Sequence, residues 1–100
     1  MTISEAVKRL SEEMGEKIDK NFVYFYDRQK IFSFARNFDN EYRFVSEEDL
    51  PIIKKVWILN RMNIPLRMIR SYLRNGKEGK QYVKKRKDEL KRLMKKGFLV

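Results

Sequence analysis

The sequence predicts a mainly helical fold carrying one small β-hairpin, and three observations predict it. Apolar residues recur at helical spacing along most of the chain. Capping residues (Thr2, Asp19 and Ser46) stand ahead of three of those stretches. The interval 31–45 alone switches to β-forming residues on either side of Asn37, Asp39 and Asn40, which favour a turn.

The elements follow in order. Thr2 and Glu5 have capping-box spacing, and Ile3, Ala6, Val7, Leu10 and Met14 place one face of a first helix over 3–14. Gly15 ends it, since glycine accepts a positive φ without penalty. Asp19 caps a second helix over roughly 20–29, with Phe22, Val23 and Tyr26 inward. Two short helices across a tight glycine-containing turn make a helix-turn-helix arrangement. Ile31–Phe34 and Tyr42–Val45 then form the two short strands of a hairpin, or wing. Strand alternation turns Arg43 away from the core and Tyr42 and Phe44 toward it.

Ser46, with Asp49 three residues on and an acidic first turn, opens a third helix that tolerates Pro51 early. Ile53, Val56, Trp57 and Asn60 mark its inner stripe, and Asn63 breaks it. Pro65 starts a fourth helix through Leu66, Ile69, Tyr72 and Leu73, and Asn75-Gly76 stops it. Residues 78–97 read as a lysine-rich helix with sparse apolar positions, Val83, Leu90, Leu93 and Met94. The aromatic residues Tyr26, Phe34, Phe44 and Trp57 have the period of a core rather than of a base-stacking platform.

With 100 residues, 42% apolar and seven Phe, five Tyr and one Trp, the chain has the material for a small core. Cys and His are both absent, which removes thiol nucleophiles, disulfides, Cys/His zinc sites and the usual general base. No serine lies in a nucleophile elbow, and Gly76-Lys77-Glu78-Gly79-Lys80 lacks the spacing of a phosphate loop. A non-enzymatic protein without cofactor or metal is expected, cytoplasmic and nucleoid-associated, with no membrane span or signal peptide. The net charge of +10 points to a polyanion as partner. Residues 1–45 balance, 46–75 carry +3 and 76–100 carry +7. The expected organisation is a helix-turn-helix domain with its hairpin over 1–75 and a basic helix over 76–100 that serves dimerisation or phosphate contact.

Tyr42-Arg43-Phe44-Val45-Ser46-Glu47-Glu48-Asp49-Leu50 resembles the end of the wing and the start of the third helix in the MerR family of bacterial regulators, G-Y-R-x-Y-x-x-x-D-L. Val23-Tyr24-Phe25-Tyr26-Asp27 resembles that family's I-R-Y-Y-E, Arg36 falls at its wing arginine, and Met62–Ile69 resembles L-G-F-S-L followed by E-E-I. The resemblance covers roughly residues 2–74 and implies a winged helix-turn-helix of MerR-like type. Tyr24 stands where the family often has Arg, and Lys30 where it has Gly. The long dimerisation helix and effector region are missing, so no small-molecule effector is implied.

The partner so implied is double-stranded DNA, engaged by the second helix in the major groove. Lys20, Asn21, Tyr24 and Arg28 share its outward face. Asn21 and Arg28 suit base edges, whereas Lys20 and Tyr24 suit phosphates or a thymine methyl. Arg36 and Arg43 are the wing contacts; for Arg43 the competing reading is a packed stem over the sheet edge. An ordinary polar helix face is the alternative for the rest. Three functions fit: a sequence-specific transcription regulator, bacterial or from a phage or plasmid, a weak homodimer that pairs on DNA; an accessory DNA protein, excisionase-like or for segregation; and a protein-interaction module on the same fold.

Overall fold

The computed structural model describes residues 1–36 and 43–95, and they divide into two compact units, one ending at Lys55 and the other beginning at Val56. The described residues are mainly helical, with a small antiparallel pair of strands. The expected turn residues Asn37, Asp39 and Asn40, together with Tyr42, lie outside them, as do the side chains of Leu93 and Met94.

The first unit holds α1 (Ile3–Met14), α2 (Lys20–Arg28), β1 (Ala35–Arg36), β2 (Arg43–Phe44), a 3₁₀ turn (Glu47–Asp49) and the start of α3 (Leu50–Arg61). Thr2 Oγ1 accepts from Glu5 N at 3.1 Å, satisfying one orphan donor at the start of α1. Gly15 ends α1 at φ +68°. The turn that follows is closed by Ser11 Oγ, which accepts from Ile18 N at 2.9 Å and so carries Ile18 into the core. Asp19 Oδ1 then caps α2 through Asn21 N at 2.8 Å.

α1 packs on α2, and Ile3, Ala6, Leu10, Ile18, Val23, Tyr26, Phe32, Val45 and Ile53 are buried in this unit. Each fully buried aliphatic side chain stabilises the fold by about 1.5–3 kcal/mol. Tyr26 sits among aromatic rings, 4.9 Å from Phe22 and edge-on to Phe25 at 5.1 Å. Its burial raises the phenol above the usual tyrosine range. Ser46 and Asp49 form a reciprocal capping box at the 3₁₀ turn that leads into α3.

Two expectations for the strands need correction. The first strand begins at Ala35, not Ile31, because the stop of α2 consumes the residues before it. Lys30 N donates to Asp27 O and Ile31 N to Tyr26 O, each at 3.0 Å, which is a Schellman motif with Lys30 at φ +60°. Phe32 is then buried, with Phe34 stacked 5.1 Å away. The faces of β2 are also exchanged. Phe44 is 51% exposed, while Arg43 turns toward α2, because a two-residue strand offers Phe44 little surface and Asp27 offers Arg43 a counter-charge.

The second unit contains the rest of α3, α4 (Leu66–Leu73) and α5 (Lys77–Lys95), with α4 packed on α5. Val56, Leu59, Ile64, Met68, Ile69 and Val83 are its buried apolar residues. α3 and α4 end as α2 does. Asn63 and Asn75 take φ +59° and +60°, and the residue after each donates back to Leu59 O at 3.1 Å and Ser71 O at 2.7 Å. Arg86 Nε donates to Met62 O at 2.9 Å, satisfying a carbonyl that the end of α3 leaves without a helical partner. Gly79 lies in the first turn of α5 and is buried, and a Cβ there would stand 2.3 Å from Tyr72 N. Its N–H donates to Ser71 Oγ at 2.9 Å. The absence of a side chain at Gly79 therefore sets how closely the two helices approach.

Candidate nucleic-acid interface

The six residues expected at a nucleic-acid surface all lie in the first unit, four on α2 and two on the strands. α2 is nine residues long, and its buried positions, Val23 and Tyr26, fix which way the helix is turned. Lys20, Asn21 and Arg28 are consequently exposed, and Tyr24 is half-buried. Lys20 and Arg28 make no ion pair among the described residues, so their cationic groups remain available.

Register on the hairpin sets Arg36 directly opposite Arg43. Opposed residues of an antiparallel pair share a face, and like charges there repel. Asp27 relieves this repulsion: its side chain is only 11% exposed, and Oδ2 accepts from Arg43 Nε. The Arg43 guanidinium also lies over the Tyr24 ring at 5.9 Å from the centroid, within cation–π range. Arg43 is thus a link between β2 and α2, whereas Arg36 is exposed and makes no ion pair among the described residues. Of the two arginines read as wing contacts, Arg36 has the open guanidinium.

Met1 and Val45 exchange two backbone hydrogen bonds, each 2.8 Å, which hold the start of α1 against the end of β2. A cleft of about 210 Å³ results, lined by Thr2, Ile3, Ser4, Tyr24 and Arg43. A second cleft of about 410 Å³ is lined by Lys8, Lys17 and Lys20, with the hydroxyls of Ser4 and Ser11. Sequence reasoning passed over Lys8 and Lys17. Nothing in the periodicity marks them, since the cleft they line forms only where the turn between α1 and α2 closes. Asp19 also lines this cleft, and its carboxylate offsets part of the positive field there.

The first unit thus carries exposed directed donors on α2 (Asn21, Arg28), a cleft lined by Lys8, Lys17 and Lys20, and an exposed Arg36 on the hairpin. Such a set can bond base edges and phosphate oxygens, and it contains no proton-transfer pair. Among the described residues no group of three or more Asp or Glu is placed to hold a metal ion, and no helix is long and apolar enough to cross a membrane. No family model, no curated protein and no solved structure matches this chain.

Proposed function

We propose that the protein binds double-stranded DNA as a winged helix-turn-helix, with α2 reading the major groove and the β1–β2 hairpin flanking it. One observation carries the reading: α2 leaves Lys20, Asn21 and Arg28 exposed on one side of a short, capped helix, and a compact stop leads directly into a hairpin bearing Arg36. The major groove admits such a helix, and Asn and Arg are the side chains that bond adenine and guanine in bidentate fashion. The stop adds support. Lys30 occupies a left-handed position, the conformation for which the MerR-like pattern supplies glycine.

A transcription regulator is the form of this function favoured here. The accessory or architectural form draws support from a different observation, the concentration of positive charge after Lys55, which suits binding that does not depend on sequence. Selection from a randomised duplex pool, with sequencing of the bound fraction, separates the two. Enrichment of a palindrome with half-sites about one helical turn apart is the expected result. Direct repeats would favour the accessory form. Binding without any enrichment would remove sequence reading by α2, and absence of binding would remove DNA as the partner.

A further inference from the structure

Charge divides between the two units far more sharply than along the sequence as a whole. Residues 1–55 hold ten Lys/Arg against eleven Asp/Glu, a net of −1. Residues 56–100 hold fourteen Lys/Arg against three Asp/Glu, a net of +11. The unit that bears the reading helix therefore has no net attraction for a polyanion. Long-range attraction must come from the second unit.

Within that unit the most ordered basic feature is on α4. Arg67, Arg70 and Arg74 recur at i, i+3 and i+7, so they fall within one side of the helix over a rise of about 10.5 Å. Together with Leu66, Ser71 and Gly76 they line a cleft of about 460 Å³. Arg67 and Arg74 are exposed. In the lining of the cleft, Ser71 accepts two hydrogen bonds, from Gly76 N at its carbonyl and from Gly79 N at Oγ. Lys77 and Lys80, both exposed, follow in the first turn of α5.

We infer that the α4 arginine row is a second nucleic-acid contact, one that grips phosphates of the duplex without reading its sequence. The row rests on the DNA-binding reading above and assigns to the second unit the phosphate attraction the first lacks. Guanidinium groups match phosphate oxygens as two-pronged donors. Laid along the duplex axis, the row spans about three base steps at roughly 3.4 Å of rise each. An acidic protein segment is the competing partner, and binding of poly-glutamate separates it from the duplex in the test below.

The test uses the full chain and measures affinity for a selected duplex and for a scrambled one across a salt series. Arg67→Gln combined with Arg74→Gln should lower the slope of log affinity against log salt by about 1.8, since each lost phosphate contact removes about 0.9. Affinity should fall by the same factor on both duplexes, leaving their ratio unchanged. Arg67→Lys with Arg74→Lys should recover the slope but not the whole affinity, because lysine lacks the planar fork. An unchanged slope in the glutamine variant overturns the inference. So does a loss confined to the selected duplex, or a loss of poly-glutamate binding with duplex binding intact. Substituting Asn21 and Arg28 in parallel keeps the two readings apart. If their loss changes nothing while the arginine variant still lowers the slope, the α2 reading fails and this one stands.

Discussion

Arg43 on β2 donates its Nε to the carboxylate of Asp27 on α2, and this ion pair fastens the strand to the helix. Asp27 is the more enclosed partner, with a side chain 11% exposed against 30% for Arg43. Removing the arginine strands an enclosed carboxylate, while removing both partners leaves nothing unpaired. Arg43→Ala should therefore destabilise the protein by about 1–3 kcal/mol. The double variant Asp27→Asn/Arg43→Ala should lose less than Asp27→Asn and Arg43→Ala together. Urea unfolding of all four proteins measures this coupling, and strict additivity would mean that the pair holds nothing in place.

Lys30 should be improvable. It sits at φ +60°, where a side chain with a Cβ costs about 1–2 kcal/mol, partly offset by the extra chain freedom glycine brings to the unfolded state. Lys30→Gly should raise stability by about 0.5–1 kcal/mol and shift the urea midpoint upward without altering the slope. Lys30→Val should do the opposite. Asn63→Gly and Asn75→Gly, at φ +59° and +60°, should move stability less, because asparagine tolerates this conformation.

These backbone stops explain what the sequence made legible and what it hid. The bounds of α1, with Thr2 ahead and Gly15 behind, agree with the periodicity residue for residue, and Asn63 and Asn75 act as the helix breakers their chemistry suggests. A lysine gives no such warning. The stop at Lys30 consequently displaced the expected first strand from Ile31 to Ala35. For the candidate interface, helical period alone gave the outward side of α2. It could not give the pairing of Arg43 with Asp27, because alternation decides the faces of a strand only when the strand is long enough to bury one of them. Lys8 and Lys17 were likewise hidden, since the cleft they line depends on how the turn between α1 and α2 closes.

Two glycines should resist substitution for different reasons. Gly79 has no room: a Cβ would meet Tyr72 N at 2.3 Å and Met68 O at 2.8 Å, both main-chain atoms that cannot swing aside. Gly79→Ala should force α4 and α5 apart and cost about 2–3 kcal/mol, despite alanine's better helix propensity. Gly15 has open space around its Cα but a φ of +68°, so Gly15→Ala should cost only about 1 kcal/mol, through backbone strain. Thermal unfolding followed by circular dichroism ranks the two. A harmless Gly79→Ala would show that the helices do not need this close approach.

Glu13 on α1 accepts a hydrogen bond from Lys54 Nζ at 2.9 Å, which holds its carboxyl below the ordinary value of 4.5. A carboxylate whose pKa is lower in the folded than in the unfolded chain contributes stability above its unfolded value. That contribution is lost as pH falls from about 4.5 through the lower folded value. Glu13→Gln should lower the melting temperature slightly at pH 7, and the two proteins should converge once the pH is below the carboxylate range. Added salt should narrow the difference at pH 7, since both groups face solvent. A difference that persists at low pH would point to a packing role for Glu13 instead.

If α2 reads the major groove, its directed donors and its cations should fail in different ways. Asn21→Ala or Arg28→Ala removes a side chain able to bond a base edge, and discrimination against the wrong base should fall by about 1–3 kcal/mol, or roughly five- to 150-fold. Affinity for scrambled duplex should change little on losing Asn21, which is uncharged. Lys20→Ala removes a cation that suits a phosphate, so selected and scrambled duplexes should weaken together and the salt slope should fall by about 0.9. Competition gel shifts with single-base variants of the selected site check both patterns. Exchange of the two patterns would make Lys20 the reading residue, and uniform weakening in every variant would reduce α2 to a phosphate contact with no part in recognition.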